Sequence, residues 1–407
     1  MRLNITVSCF LTVLCTILLI CDLRAQTTTR LKPDSPATFV IKGKDPHEFE
    51  IELNADDICN ITTDAIEDMP VLMSIFKPNG QELVKETEPA EGYVFVADAA
   101  GIYRIIFSLI DERSDNDIAK LTGKQITVRY SHRFALPTGA KTSAVRTVNG
   151  YQVKIANEAK DDGKTFLVIQ KAGKLKAVMR SEKEITGGFY FSDDPSQTDG
   201  ANARRSAELM RTTPDKTGDG TPDVAVEYYT GGAHCCFEIT FFELGANVRQ
   251  LPTIGADNDR MTAISKKPGG GLRFQIAEQA FAYWNINFAQ SPMPIVIYEF
   301  DKSDRLVPRF DLMKKPAPTL TKLKRDAAAM KATINLNPYT SPEDNFNDWD
   351  EPFWSEMLGL IYSGHEDMAW QYFDLVWPTK KRGKEKFRSD FKEQLALATY
   401  GEWKKRR

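Results

Sequence analysis

Five oxygen-bearing positions, one at every second residue, carry the most specific chemistry in this chain. Asp215, Thr217, Asp219, the main-chain carbonyl of Thr221 and Asp223 stand at positions 1, 3, 5, 7 and 9 of one loop. Hard cations such as Ca²⁺ take six to eight oxygens at about 2.3–2.6 Å, and a loop whose alternate residues turn inward supplies them. Gly218 and Gly220 permit the positive φ angles that wrap so short a loop around an ion. The spacing therefore predicts one Ca²⁺ site. The spacing argues against a helix–loop–helix hand, which needs a bidentate acid at position 12, where Val226 stands. The loop leads instead into Val224 to Tyr229, whose β-branched and aromatic residues predict a strand. The competing account is an Asp/Gly-rich turn that binds nothing, since these residues favour turns in any case.

Further along lies Gly231-Gly232-Ala233-His234-Cys235-Cys236. Two thiols beside an imidazole admit a Cys/His nucleophilic site or a soft-metal site. In an extended segment neighbouring side chains point to opposite faces, so both thiols do not readily grip one ion. The bland reading is a turn entering a strand, with one cysteine packed inward and the other facing out. A Cys235–Cys236 disulfide is a third reading. It would be strained, because adjacent Cα atoms are about 3.8 Å apart, and its easy reduction would leave a redox role open.

The stretch from Asp215 to Gly245 resembles one unit of the FG-GAP/VCBS repeat, the calcium-binding loop-and-strand unit of integrin α-chain propellers and many secreted bacterial proteins. Asp215, Gly218, Asp219, Gly220 and Asp223 carry the resemblance, with Thr217 where Asn or Asp is commoner. The loop occurs once, and a regular seven-bladed propeller is excluded by length. The resemblance implies a structural Ca²⁺.

The elements that must position this loop fall into three regions. Residues 31–135 alternate apolar and polar with period 2 (FEIELNADDICNITT, VLMSIFKPNGQEL, YVFVADAAGIYRIIFSL, KQITVRYSH). That pattern predicts an antiparallel β-sandwich. Ala55-Asp56-Asp57, Pro78-Asn79-Gly80 and the run from Ala97 to Ile105 resemble the turns and closing strand of the bacterial pre-peptidase C-terminal domain, an accessory module without catalytic residues. Residues 136–142 read as a linker. Residues 143–312 read as a β-rich domain, propeller-like or barrel-like, with a hairpin around Lys171-Ala172-Gly173-Lys174 and another turning at Asp301 to Asp304. The polar run from Asp193 to Arg205 reads as an exposed loop.

Residues 319–407 read as helical: LTKLKRDAAAMKAT, FWSEMLGLIYSG, HEDMAWQYFDLVWP and a last helix, SDFKEQLALATYGEW. Leu358-Gly359, Tyr362, Ala369, Phe373 and Pro378 resemble a tetratricopeptide unit shortened from its 34-residue period. The mature chain as a whole resembles secreted bacterial proteins that share this YSGH…AW…WP ending, a resemblance that implies no activity. Residues 343–374 hold nine acids and no Lys or Arg, while residues 380–407 hold eleven Lys/Arg and four acids. An acidic hairpin docked on a basic last helix accounts for this split without nucleic acid or lipid. The fold class is thus mainly β with an α C-terminal region.

The 407 residues suffice for two or three cores. Residues 1–25 read as a signal peptide: Arg2, an apolar run from Phe10 to Ile20 and a cleavage site after Ala25. The apolar run is shorter than the roughly 20 residues of a membrane helix, so no transmembrane segment is expected after cleavage. A lipid anchor at Cys21 is the less favoured alternative. Three of the six cysteines remain after cleavage, Cys59, Cys235 and Cys236, an odd number that leaves at least one thiol free or bonded outside the chain.

These readings converge on a secreted or periplasmic calcium-stabilised binding protein with an unknown protein or carbohydrate ligand. The alternative is a hydrolase or thiol-redox enzyme centred on His234 and Cys235 or Cys236. Against it, the other histidines (His47, His132, His365) lie in other regions, and no nucleophile elbow, HExxH or CxxC occurs.

Overall fold

Alternation becomes architecture most plainly where each second residue disappears from solvent. A computed structural model describes residues 29–64, 71–87, 93–109, 115–159, 163–181, 188–194, 200–229, 236–335, 337–344 and 351–406. The first region holds strands β1 (Thr29–Arg30), β2 (Ala37–Val40), β3 (His47–Leu53), β4 (Ile58–Asp64), β5 (Val71–Phe76), β6 (Glu82–Thr87), β7 (Tyr93–Val96) and β8 (Gly101–Leu109). Helix α1 (Asp115–Leu121) and strand β9 (Gln125–Ser131) complete it. Phe49, Ile51 and Leu53 of β3 face Tyr103, Ile105 and Phe107 of β8 in one buried cluster.

The second region runs through β10 (Lys141–Val148), β11 (Tyr151–Asn157), β12 (Thr165–Lys171), β13 (Lys174–Arg180) and β14 (Gly188–Phe191). Then come helix α2 (Ala201–Thr212), β15 (Asp223–Tyr229), β16 (Phe237–Leu244), β17 (Val248–Gln250) and β18 (Ile254–Asp257). A four-stranded meander follows: β19 (Thr262–Lys266), β20 (Leu272–Ala277), β21 (Ile295–Phe300) and β22 (Leu306–Pro308). The β12–β13 hairpin turns at Ala172 and Gly173, both with positive φ, as a two-residue turn of primed type requires.

The two β regions share their sheets across residues 136–142. One sheet runs β1-β3-β8-β5-β6-β17-β16-β15-β14, with β18 on β16, and the other runs β10-β11-β12-β13-β7-β4-β9-β2. Val178 of β13 pairs with Val94 of β7, and Gln250 of β17 with Val84 of β6. No closed barrel forms among the described residues, so the barrel-like expectation gives way to open sheets and a meander. The run read as an exposed loop from Asp193 to Arg205 is corrected too, being helical from Ala201 onward. Its inward face is only Ser206, Ala207 and Met210, too small and polar to register as an apolar stripe.

The C-terminal region comprises α3 (Phe310–Met313), α4 (Leu320–Thr333), α5 (Glu351–Tyr362), α6 (Glu366–Val376), α7 (Lys384–Leu397) and α8 (Thr399–Lys405). The expected single last helix is two, because Ala398 is extended (φ −76°, ψ 158°) between α7 and α8. Acidic and basic stretches do meet: Asp374 pairs with Lys384 (2.9 Å) and Arg388 (2.5 Å), and Glu366 with Lys404 (2.6 Å). Exposed pairs of this kind contribute only about 0–1 kcal/mol each. The stronger bond is an aromatic core of Phe353, Trp354, Phe373, Phe387 and Phe391, which takes in Phe281 and Trp284 from the meander. Each such burial is worth about 1.5–3 kcal/mol.

Cys59 is fully buried on β4 opposite Phe95 and is free. Burial, with a smaller contribution from Asp57, raises its thiol pKa far above the ordinary range. Since the thiolate is the reactive form, native protein treated with iodoacetamide at pH 8 should keep Cys59 unmodified. Denaturant should then expose it, which peptide mass spectrometry reads directly. Cys236 is disulfide-bonded. Its partner, His234, Cys235 and the signal segment lie outside the described residues. No helix among the described residues is long and apolar enough to cross a membrane.

Candidate metal centre

The loop from Asp215 to Asp223 hangs between the end of α2 and the start of β15, and main-chain hydrogen bonds fix both ends. Asp223 N–H donates to the Pro214 carbonyl (2.7 Å) and Leu244 N–H to that of Pro222 (2.8 Å). From the meander, Leu272 N–H donates to the Lys216 carbonyl (2.8 Å), and Lys267 Nζ reaches the carbonyls of Thr217 (3.3 Å) and Phe300 (3.2 Å). Gly218 (φ 89°) and Gly220 (φ 96°) supply the left-handed turns that the spacing called for.

The loop's own N–H groups aim its carboxylates. Asp215 Oδ1 accepts from Gly218 N–H (2.6 Å) and Oδ2 from Gly220 N–H (2.9 Å), while Asp219 Oδ1 accepts from Thr221 N–H (2.7 Å). Asp223 Oδ2 accepts from the N–H groups of Lys216 (2.7 Å) and Thr217 (3.0 Å). Three carboxylate oxygens surround one hydroxyl: Thr217 Oγ1 is 3.4 Å from Asp215 Oδ1, 3.5 Å from Asp219 Oδ1 and 3.3 Å from Asp223 Oδ2. These distances are long for O–H···O bonds, and one hydroxyl proton cannot serve three acceptors.

Asp223 is 0% exposed, and its Oδ1 is buried without a hydrogen-bond partner. Burial pushes its carboxyl up to about 7, against the pull of the Thr217 and Lys216 N–H groups and the Lys216 charge, with Glu243 adding to the rise. Lys216 is also buried and donates from Nζ to the Asp223 carbonyl (2.7 Å). Burial lowers its pKa, opposed by Asp223, Asp193 and Asp215. The Thr221 carbonyl accepts no hydrogen bond among the described residues.

A second acidic group adjoins the loop. One carboxylate oxygen each of Asp219, Glu243 and Asp304 lies within 4.8 Å of the others, so these three could hold a metal ion. Asp215, Asp219 and Asp223 do not form so tight a trio and meet through Thr217. Arg249, however, already serves two of the triad. It donates to Glu243 from Nε (2.6 Å) and Nη2 (2.5 Å), and from Nη2 to Asp304 (2.7 Å). Burial opposes the charge on Arg249, yet those hydrogen bonds outweigh it and its pKa is raised. A metal between Glu243 and Asp304 would have to displace this guanidinium.

Of the five residues expected at the site, Asp215, Asp219 and Asp223 gather around Thr217, while Thr221 lies on the same loop with no contact of its carbonyl to them. Sequence reasoning missed Glu243, Asp304 and the glycine run Gly269 to Gly271. A Cβ at Gly271 would lie 2.9 Å from Gly218 N and from the Thr217 carbonyl, so the β19–β20 turn packs directly on the loop backbone. The available signals were a glutamate within the apolar run FEITFFEL and three glycines where a hairpin turn needs one or two.

No family model matches the chain, and no curated protein matches it. Among solved structures it is similar to PliG of Salmonella Typhimurium, a periplasmic inhibitor of g-type lysozyme. The identity is 13% and the TM-score 0.21, over 26% of this chain and 96% of that one. PliG of Aeromonas hydrophila gives 12% and 0.20 over 26% and 96%. The Synechocystis apocarotenoid oxygenase, as a Glu150Gln mutant, gives 8% and 0.21 over 69% and 71%. At these TM-scores none of them carries an argument.

Proposed function

We propose that the protein is an exported binding protein, with a protein or carbohydrate ligand, whose β region is stabilised by one Ca²⁺. Asp215, Thr217, Asp219, the Thr221 carbonyl and Asp223 would hold the ion. The observation that carries this reading is the ring of three carboxylates around Thr217 together with the buried, unpartnered Oδ1 of Asp223. A buried charged oxygen without a partner is costly, and a cation at the loop removes that cost. The ion would tie α2, β15 and the meander together and perform no chemistry. A disulfide-bonded Cys236 offers no thiolate to a hydrolase, and the thiol-redox alternative would act through reduction of that bond.

Binding to the folded state alone adds RT ln(1 + [L]/Kd), about 2.7 kcal/mol at a hundredfold excess over Kd. Melting of metal-free and calcium-loaded protein should therefore differ by roughly 5 °C. Asp219→Ala should erase the difference wherever the ion sits, because Asp219 belongs to both acidic groups. Asp215→Ala separates them, since it should also erase the shift if the loop holds the ion. A calcium shift that survives Asp215→Ala assigns the ion to the triad, and identical wild-type melts with and without calcium defeat the proposal.

A further inference from the structure

Beside the loop lies a cavity of about 340 Å³ between the β10–β11 turn, the end of α2 and the start of β15. Its volume is within the range of small-molecule sites, about 300–1,000 Å³. Lys216 and Asp223 line it, so the cavity and the metal loop have a common wall. Met210, Val148 and Val224 give it an apolar side.

Its polar side sets three cations beside two carboxylates, Asp193 and Asp223, and two of the cations have donors to spare. Lys216 is 6% exposed, and among the described residues its ammonium makes one hydrogen bond, to the Asp223 carbonyl. An ammonium carries three donors, so two remain. Arg211 lines the cavity with no hydrogen bond or ion pair among the described residues. Arg146 is held by Asp193 through Nε (2.8 and 3.0 Å), and its guanidinium lies over the Phe191 ring at 4.7 Å.

Counting charge across the common wall gives a sign. With every group in its charged form, the lining's Arg146, Arg211 and Lys216 against Asp193 and Asp223 sum to +1, and Asp215 and Asp219 of the loop bring the total to −1. One Ca²⁺ on the loop turns that into +1. Metal-free, the loop's acids would oppose the binding of an anion in the cavity; a Ca²⁺ on the loop would remove that opposition, and buried charges are screened less than exposed ones.

We propose that this cavity binds a small organic anion, one carboxylate on a short apolar body, with Lys216 and Arg211 as its donors and calcium as the switch that raises its affinity. The inference rests on the reading of the loop as a calcium site. Linkage makes the coupling reciprocal: the anion must tighten calcium binding by the same factor.

Benzoate is the probe and benzamide its neutral counterpart. Both are titrated calorimetrically into the full chain, calcium-loaded or depleted by dialysis over a chelating resin, since a soluble chelator is itself an anion. Benzoate should bind the loaded protein at least tenfold more tightly than the depleted protein, and benzamide should not bind. Arg211→Gln, an exposed change that leaves the fold intact, should weaken benzoate about tenfold and leave the calcium affinity measured alone within twofold. Lys216→Met should abolish benzoate binding. Calcium binding without benzoate binding up to 20 mM overturns this inference and leaves the metal reading standing. Benzoate binding to a protein that takes up no calcium overturns the metal reading and the coupling together. Equal affinity for benzoate and benzamide, or no effect of Arg211→Gln, also overturns the inference.

Discussion

Gly271→Ala should lower stability by about 2–5 kcal/mol and weaken calcium binding at least tenfold, whereas Gly269→Ala, two residues away, should do neither to that extent. Both glycines have positive φ, 81° and 88°, so each alanine bears a left-handed backbone penalty of about 1–2 kcal/mol. The difference between them is contact. A Cβ at Gly269 meets nothing within 4 Å, while one at Gly271 lies 2.9 Å from Gly218 N, Thr217 C and Thr217 O. Those are backbone atoms, which cannot rotate aside as a side chain does, and forced overlap costs about 1–3 kcal/mol. The turn must lift, which breaks the Leu272 N–H bond to the Lys216 carbonyl and loosens the loop just where Thr217 gathers the carboxylates. Thermal melts of both variants, with and without calcium, test this. Equal destabilisation, or a Gly271→Ala variant with wild-type calcium affinity, would show that the hairpin does not support the loop.

That contrast also marks where the sequence stops being informative. The loop was legible because its geometry is local: Asp215 to Asp223 fold on their own N–H groups, and two glycines permit it. The strands were legible because burial at every second residue, as at Phe49, Ile51 and Leu53, is written directly in residue type. Their partners were not. Alternation says that β13 has an inner face, but pairing Val178 with Val94 depends on how two distant meanders meet. For the same reason Glu243 and Asp304 escaped notice. Glu243 is brought to the loop by its register opposite Asp223 on β15 and β16, and Asp304 by a turn some 80 residues away. Helix α2 was missed because Arg204, Arg205 and Glu208 dominate its composition while its buried face is short.

Arg249→Ala should be among the most damaging single changes in the metal-free protein, and calcium should largely reverse the damage by occupying a second site. Glu243 is 5% exposed, and Arg249 is its bidentate partner. Removing one member of a buried ion pair costs about 3–5 kcal/mol, because the remaining charge is left without compensation. The loss should depend on pH. Glu243 in the folded wild type already has a raised pKa, chiefly from burial, with Arg249 opposing the rise and Asp219 and Asp304 adding to it. Without Arg249 the rise grows. A folded carboxyl that holds its proton to a higher pH than the unfolded chain, whose Glu ionises near about 4.3, loses stability as pH rises through the interval between the two. The variant's deficit should therefore be small near pH 4 and reach its full size above the raised pKa. With the guanidinium gone, Asp219, Glu243 and Asp304 retain oxygens within 4.8 Å of one another, a spacing that a Ca²⁺ with ligands at about 2.4 Å can span. Calorimetric titration should thus give one calcium per chain for wild type and two for Arg249→Ala, with Glu243→Gln in the Arg249→Ala background returning the count to one. Two ions in the wild type would mean that Arg249 does not guard the triad, and one ion in the variant would mean that the triad is no site even when vacated.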